Sequence, residues 1–388
     1  MSIETSAYHP LDPAVHADPY PAYAAMRRTG GPCWNERLNG WLVTSYRDCR
    51  QVLRDHETFA ADWRRAGESM PDSALSIHHL DPPEHSVVAG LIASTLRPLS
   101  SPEFAARVRV TVDELLDSLP PGPVDLIGSF TVPLSRWFVP SAMGLPEFEP
   151  EVMEPIAAAI MRAMDAGLVP EAGKPGAAAR QKLTGMLKSW IDDMEPGAPL
   201  RNLLDDARRA GLPELMTINS LRTLVVNAFS SVPGSLGNSL YALARHRIPL
   251  KEHLGTPGVL DDTAPQELFR YDTPLQATTR LCVTDTTLSG ADIRRGQDVV
   301  VFFGAANRDP ERFPEPDRIM LDRTPNGHLA FGYGAHACAG SMLSKLLLGE
   351  VLQALARRGA SLRLADEVTR HPYATIRSLA ALPVEISG

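Results

Sequence analysis

The chain has 388 residues, which is longer than a typical domain of about 100–150 residues and long enough to enclose a large cofactor. Hydrophobic residues make up 44% and charged residues 22%, a composition that excludes disordered, collagen-like and coiled-coil proteins. The net charge is −8 and no long basic run occurs, so electrostatic binding to nucleic acid or to an anionic membrane is not the main function. We expect small-molecule or protein partners.

The predicted elements begin with a β-hairpin over Trp34–Ser45, where Asn39-Gly40 forms the turn. Weaker strand patterns follow at Gln276–Val283 and Asp298–Phe303. Helical periodicity predicts helices at Asp48–Arg54, Pro102–Ser118, Pro155–Ala166, Ala177–Asp193, Pro213–Arg247 and Ala339–Arg358. Most of the 34 prolines stand at the joints between these segments. The sequence therefore predicts a mainly α protein with a small β region, built as a single domain over residues 1–388.

The cysteines and the N-terminus predict a reducing compartment. Cys33, Cys49, Cys282 and Cys338 form no CxxC pair, and the first residues lack the charged-then-apolar pattern of a signal peptide. No uninterrupted apolar stretch reaches the roughly 20 residues that span a bilayer. We expect a cytoplasmic protein without a membrane anchor.

The most informative segment is FGYGAHACAG, which runs from Phe331 to Gly340 and precedes an apolar helix. Gly332 and Gly334 permit a tight loop, and Cys338 stands at the helix N-terminus, where backbone N–H groups favour a thiolate. A lone thiolate suits a single axial bond to haem iron. The alternative is a buried structural cysteine, which would require neither the glycines nor the helix start.

This segment resembles the haem-binding loop of the cytochrome P450 family, FxxGxHxCxG, at every specified position. Glu267 and Arg270 match the family's ExxR pair, with Arg318 expected as the third member of its structural cluster and Arg312 as the alternative. The resemblance implies the family's helical prism enclosing haem b (iron protoporphyrin IX), with Cys338 as the axial ligand.

The resemblance also implies which side chains hold the two haem propionates. His85, Arg280, His328 and His336 stand at the positions expected for these contacts. The chain departs from the family at Ala89, where an arginine is common, and basic residues are also missing at Val87 and Gly90. One propionate contact and part of the basic docking surface for an electron donor are therefore in doubt.

The predicted helix over Pro213–Arg247 corresponds to the family's oxygen-activating helix, which carries an acid followed by a threonine. Here Ser230 stands at the acid position and Ser231 at the threonine position, so a hydroxyl remains but no carboxylate accompanies it. Pro233 either opens the helix over the iron, freeing the carbonyl of Phe229, or ends one helix before Gly234 begins another.

By the same resemblance, the substrate pocket combines apolar side chains with a few polar ones, as small-molecule sites usually do. The candidates are Val226, Asn227, Phe229, Leu275, Gln276, Ile376 and Arg377.

The resulting hypothesis is a haem-thiolate monooxygenase that oxidises a small-molecule or peptide-like natural product. It would use dioxygen and take electrons from a separate ferredoxin- or flavodoxin-type donor. Short segments at Trp34–Asn39 and Pro233–Leu236 are similar to tryptophan-nitrating members of natural-product pathways. Oxidative coupling, nitration or peroxide-driven chemistry is therefore a second hypothesis. A third is a haem protein without turnover that serves as a scaffold or helper for another enzyme.

Overall fold

The computed structural model describes residues 8–387 and is mainly helical, as predicted. The α-helices are α1 (Pro13–Ala17), α2 (Tyr20–Arg27), α3 (Tyr46–Arg54), α4 (Glu84–Leu96), α5 (Pro102–Asp117), α6 (Val132–Met143), α7 (Pro150–Arg162), α8 (Gly173–Asp192), α9 (Pro199–Arg209), α10 (Glu214–His246), α11 (Ala264–Tyr271), α12 (Phe303–Ala306) and α13 (Ser341–Arg357). Short 3₁₀ turns at Ile77–His79 and Gly334–His336 contribute to the site described below.

The strands form four small sheets. They are β1 (Cys33–Asn35), β2 (Gly40–Val43), β3 (Phe59–Ala60), β4 (Val124–Asp125), β5 (Ala277–Cys282), β6 (Thr286–Leu288), β7 (Ala291–Ile293), β8 (Asp298–Phe302), β9 (Ser361–Leu364), β10 (Thr369–Arg370), β11 (Leu379–Ala381) and β12 (Pro383–Ser387). The largest sheet has the order β1-β2-β8-β5-β3, in which only β2 and β8 run parallel. The others are β4-β12-β9, β10-β11 and β6-β7.

The predicted hairpin is confirmed, but Asn39-Gly40 does not form its turn alone: Gly40 begins β2 and pairs with Asn35, so residues 36–39 make a four-residue turn. Trp34 pairs with Trp41, and the two indole rings contact edge to face at 5.7 Å. Asn39 adopts φ +49°, a left-handed conformation that asparagine tolerates better than most residues. Both weaker strand predictions are also confirmed, as β5 and β8.

Helix α10 is the central element of the fold. It contacts α6, α7, α8, α9 and α11, and most of its apolar side chains lie in the largest core cluster, among them Val225, Leu236 and Leu240. The helix runs without interruption through Pro233. The expectation that Pro233 ends one helix is therefore wrong, because packing against the neighbouring helices outweighs the loss of one backbone hydrogen bond.

Candidate active site

The loop that carries Cys338 is shaped by two left-handed glycines. Gly332 has φ +71° and Gly334 has φ +74°. A Cβ at Gly334 would lie 2.6 Å from the carbonyl oxygen of Leu53 on α3, and one at Gly332 would lie 3.2 Å from that of His336. The backbone N–H of Cys338 donates to the carbonyl of Phe331 at 2.8 Å, which closes the loop. Glycine is required here both by conformation and by close packing.

The Cys338 side chain is accessible even though protein surrounds it closely. Loss of hydration raises the pKa of its thiol, whereas hydrogen bonds from the backbone amides of Gly340 and Ser341 act in the opposite direction. Amides directed at the sulfur stabilise a thiolate. Phe331 packs at the base of the same loop, with its ring 5.0 Å from that of Phe269.

A group of basic side chains lies beside the cysteine loop. The rings of His85 and His336 lie 4.2 Å apart, and His336 Nε2 is buried without a hydrogen-bond partner among residues 8–387. The nearest acid is Asp81, whose Oδ1 lies 3.6 Å away, beyond hydrogen-bond distance. Arg280 is also buried, and among the described residues it donates only to Thr278 Oγ1 and to the carbonyl of Thr279. His85, Arg280 and His336 are thus brought together as predicted.

The sequence did not predict the fourth member of this group, His78. Burial lowers its pKa to about 4, and the charges of His79, His336, Arg280 and His85 act in the same direction. Asn227 Nδ2 lies 3.3 Å from His78 Nε2; since an amide nitrogen can only donate, His78 accepts at Nε2. The pair of adjacent histidines just before Asp81-Pro82-Pro83 was the available signal. His78 therefore connects the basic group to α10.

One side of α10 remains accessible although the helix crosses the middle of the molecule. Thr223, Leu224, Asn227, Ala228 and Ser231 are all half-buried or exposed, and they recur at the three- and four-residue spacing of one helical face. Val225, Val232 and Leu236 on the other faces are buried. Since Asn227 on this face bonds to His78, the accessible face of α10 and the cysteine loop border the same basic group.

The carbonyl that Pro233 frees does not belong to this accessible face. Ser135 on α6 donates its hydroxyl hydrogen to the carbonyl oxygen of Phe229 at 3.0 Å. Pro233 is two residues from Ser231, which places it about 200° away around the helix. The expected opening over the iron is therefore wrong: the gap faces α6, and Ser135 fills it.

The Glu267 cluster forms as expected, but with a different third member. Arg270 Nε lies 2.7 Å from Glu267 Oε2, and Arg323 Nε lies 3.0 Å from the same atom, all three side chains being buried. Arg318, the predicted member, is exposed and pairs with Glu315 at 2.7 Å. The alternative, Arg312, lies over the rings of Tyr46 and Phe313 instead. Both predictions were wrong because all three arginines lie in the long irregular segment between α12 and the cysteine loop, so sequence distance does not specify which of them reaches Glu267.

His328 does not join the propionate group either. Its Nε2 donates to Gln266 Oε1 at 2.8 Å, and its Nδ1 accepts the backbone N–H of Ala330 at 3.2 Å. Both ring nitrogens are therefore used within the protein, and burial lowers the pKa of His328 to about 4. The histidine orients the start of the cysteine loop rather than facing a cofactor.

The predicted pocket residues divide into two groups. Asn227, Leu275 and Ile376 are half-buried, and Leu275 pairs with Ile376 through an isolated β-bridge. Phe229 is buried against Phe148, with the two rings 5.8 Å apart, and Val226 is buried in the core.

Apart from Asn227, the polar candidates are Gln276 and Arg377, and both bind protein partners. Gln276 accepts from Tyr23 and donates to the carbonyl of Thr273, and Arg377 Nε donates to Asp272 Oδ1 at 2.9 Å. As with Val226 and Phe229, the expectation that they line the pocket is wrong, because spacing alone does not give the direction of a side chain.

Comparison with known proteins identifies the family. The family model described as "Cytochrome P450" matches residues 262–358. The chain is 32% identical over 390 aligned residues to the cytochrome P450 monooxygenase PikC of Streptomyces venezuelae, a match that covers 95% of this chain and 91% of that one. The chain belongs to the cytochrome P450 family.

Other P450 enzymes and structures agree with this assignment. The mycinamicin IV hydroxylase/epoxidase of Micromonospora griseorubida is 30% identical, with 85% of this chain and 84% of that one covered. The crystal structure of CalO2 superposes with a TM-score of 0.87 at 28% identity, covering 98% of this chain and 99% of that chain. The P450 fold expected from the sequence is confirmed.

Members of the P450 family hold haem through a cysteine thiolate, and the residues present fit this cofactor. Cys338 supplies an accessible sulfur, while Arg280 and the orphaned His336 Nε2 supply donors without an acid partner at hydrogen-bond distance. Within residues 8–387, no group of three His, Cys, Asp or Glu side chains could hold a metal ion. In the same range, no helix combines the length and apolar character needed to cross a membrane.

Proposed function

We propose that this P450 is a cytoplasmic monooxygenase that oxidises a small-molecule or peptide-like natural product with dioxygen and electrons from a separate ferredoxin- or flavodoxin-type protein. One observation carries the proposal: an accessible Cys338 thiol and an accessible face of α10 border one group of basic side chains. The relatives add to it, since PikC is named a monooxygenase and a relative from Saccharopolyspora erythraea is named a 6-deoxyerythronolide B hydroxylase.

Cys338 would ligate the haem iron, and Arg280, His85 and His336 would hold the propionates. His336 Nε2 and the guanidinium of Arg280 are buried donors, so two carboxylates placed beside them would gain charge-assisted hydrogen bonds. Phe331, Gly332, Gly334 and Gly340 shape the loop that would present Cys338 to the cofactor. The bound haem supplies the activation of dioxygen and the insertion of one oxygen atom into the substrate.

Ser231 is the hydroxyl placed to exchange protons on the accessible face of α10. Its Oγ has no hydrogen-bond partner among the described residues, whereas its backbone carbonyl accepts from Ser235 at 2.6 Å. Asn227 lies one helical turn earlier on the same face. Ser231 Oγ can therefore donate to a group in the pocket and receive a proton from ordered water, with Ser230 beside it.

A basic surface next to the cysteine loop suits an acidic electron donor. Arg47, Arg50 and Arg54 on α3 line a surface depression, and Arg50 Nη2 donates to the hydroxyl of Tyr333 in the cysteine loop at 2.7 Å. Charges of one sign steer an oppositely charged partner into contact. A donor docked on this surface would contact the cysteine loop even though Val87, Ala89 and Gly90 contribute no charge.

The proposal is tested by spectroscopy and by the coupling of oxygen consumption to product formation. The reduced, CO-bound protein should give the red-shifted Soret band of a thiolate complex, and Cys338→Ser should abolish it. With a ferredoxin donor and a bound substrate, Ser231→Ala should lower the ratio of product to oxygen consumed, whereas Ser231→Thr should retain it. An unchanged ratio in Ser231→Ala would remove the proton-transfer role, and a thiolate band in Cys338→Ser would remove the ligand assignment.

A second candidate function follows from the missing carboxylate. The accessible face of α10 carries Thr223, Asn227, Ser231 and Ser235 but no acid. Chemistry that bypasses proton delivery, such as peroxide-driven oxidation, nitration or phenol coupling, requires no such acid. Product formed only with added peroxide or nitric oxide, and not with a ferredoxin and dioxygen, would favour this candidate.

A further inference from the structure

The buried arginines of this protein divide into those with an acidic partner and those without. Five arginines are buried in the part of the chain that the structure describes. Three form ion pairs, Arg270 and Arg323 with Glu267 and Arg308 with Asp317. Arg280 and Arg222 have no carboxylate within 4.0 Å in the described residues. Arg280 belongs to the haem site, where a bound carboxylate would complete it, so Arg222 raises the question of which anion it binds.

Every hydrogen-bond partner that Arg222 has in residues 8–387 is neutral. Its Nη1 donates to Thr184 Oγ1 on α8 at 2.9 Å and to Asn219 Oδ1 at 2.6 Å, and its Nη2 donates to the carbonyl of Ser73 at 3.3 Å. Burying a cation without a counter-charge is costly even when its hydrogen bonds are satisfied. Burial and the neighbouring Arg180 lower the pKa of Arg222 to about 10.

Arg180 brings a second positive charge to the same place. It lies on α8 one helical turn before Thr184, the residue that accepts from Arg222. It is half-buried, burial lowers its pKa, and it has no hydrogen bond or ion pair within residues 8–387. Two guanidinium groups that repel each other without an acid between them are stabilised by an anion.

This pair adjoins the pocket that the accessible face of α10 borders. Three side chains of α10 hold the loop over residues 72–79 by four hydrogen bonds. Asn219 donates to the carbonyls of Asp72 and Leu75, Ser220 accepts the N–H of Ile77, and Arg222 donates to the carbonyl of Ser73. The next residue of the loop, His78, contacts Asn227 on the accessible face. The charges of Arg180 and Arg222 both act on His79. Both arginines thus lie beside the loop that His78 joins to the accessible face of α10.

We propose that Arg180 and Arg222 bind a carboxylate carried by the substrate and so orient it in the pocket. This inference rests on the proposed function, and it narrows the substrate class to anionic natural products. A guanidinium presents paired N–H donors that match the two oxygens of a carboxylate. Arg180 is half-buried and would contact the carboxylate from the accessible side of the site. Arg222 is buried and would add a second, fixed positive charge.

The test compares acids with their amides. Benzoic, 4-phenylbutyric, decanoic and hexadecanoic acids, each paired with its primary amide, are titrated into the haem-loaded protein at fixed ionic strength, with the iron spin state and calorimetry as readouts. We expect at least one acid to bind more tightly than its amide. Arg180→Gln should lower the binding affinity of that acid by about tenfold or more, which corresponds to about 1.4 kcal/mol. The affinity of the amide should stay unchanged.

Lys182→Gln is the matched control, because Lys182 is exposed on the same helix and its replacement removes the same charge. It should leave the preference for the acid intact. The proposal is wrong if no acid binds more tightly than its amide, or if Arg180→Gln keeps the preference. Loss of the thiolate band in the CO complex would instead contradict the proposed function, so the two failures are distinguishable.

Discussion

Ser135 donates a hydrogen bond to the carbonyl oxygen of Phe229, the carbonyl that Pro233 leaves without its helical N–H. A serine from α6 thereby compensates for a proline in α10. The compensation explains how the central helix remains continuous, and it places the irregularity on the side of α10 away from Ser231.

We expect Ser135→Ala to lower the free energy of unfolding by about 1–3 kcal/mol, because a buried carbonyl loses its donor. In a Pro233→Ala background, the restored helical N–H should make the same substitution much less costly. Urea denaturation of the four proteins measures this coupling. Ser239→Ala is the control, since Ser239 is also buried on α10 but donates to the carbonyl of Ser235 within regular helix. If Ser135→Ala lowered the free energy of unfolding equally with Pro233 and with Pro233→Ala, Ser135 would not compensate for the proline.

The two arginines near Glu267 should respond very differently to replacement. Arg323→Leu leaves the buried Glu267 with one partner fewer, and breaking a buried pair in this way costs about 3–5 kcal/mol. We expect little folded, haem-containing protein. Arg318→Ala removes an exposed pair with Glu315 and should leave haem content and thermal midpoint unchanged. The measurement is haem absorbance per amount of protein in the two variants. A larger loss of haem in Arg318→Ala than in Arg323→Leu would show that Arg318 belongs to the cluster.

The cysteine loop should be intolerant of a side chain at Gly334. Gly334→Ala requires a left-handed alanine and also places its Cβ 2.6 Å from the Leu53 carbonyl. Displacement of the loop should reduce haem retention and weaken the thiolate Soret band. Gly67→Ala provides the comparison, because Gly67 has φ +94° but nothing within 4 Å of the added Cβ. If both variants retain haem equally well, close packing against α3 is unimportant.

His328 should make the protein sensitive to acid. Its folded-state pKa is about 4, below the unfolded value of about 6.5, so the unfolded chain binds a proton first. The free energy of unfolding therefore decreases as pH falls from about 6.5 towards 4. His328 contributes at most about 1.4 kcal/mol per pH unit to this decrease. His328→Gln, which cannot ionise, should show a shallower loss over that range. Thermal midpoints at pH 7 and pH 4.5 give the comparison.

Charge reversal on α3 should slow electron delivery without changing the haem. We expect Arg50→Glu to lower the rate of reduction by an acidic ferredoxin severalfold at low salt, and the difference should shrink as salt increases. Arg209→Glu is a suitable control, because Arg209 is exposed on α9, far along the chain from the cysteine loop. Stopped-flow reduction in both proteins tests the docking surface; equal rates would exclude it.

The local features of this protein could be read from the sequence alone. The FGYGAHACAG loop, the Trp34–Ser45 hairpin and the long helix over 213–247 depend on glycine conformation, turn chemistry and helical periodicity, which act between residues close together in the chain. The resemblance built on the loop then supplied the fold and the cofactor. It also supplied four candidates for binding the propionates, and the structure brings three of them, His85, Arg280 and His336, together.

Only the tertiary structure decided which distant side chains meet. Arg323 rather than Arg318 reaches Glu267, His78 joins His85 and His336, and the Phe229 carbonyl turns to Ser135. Several residues of suitable chemistry competed for each of these positions, and sequence spacing gave no means of choosing. The choice depends on side-chain direction and on the cost of burying an unpaired charge or carbonyl, and both are fixed only when the helices pack together.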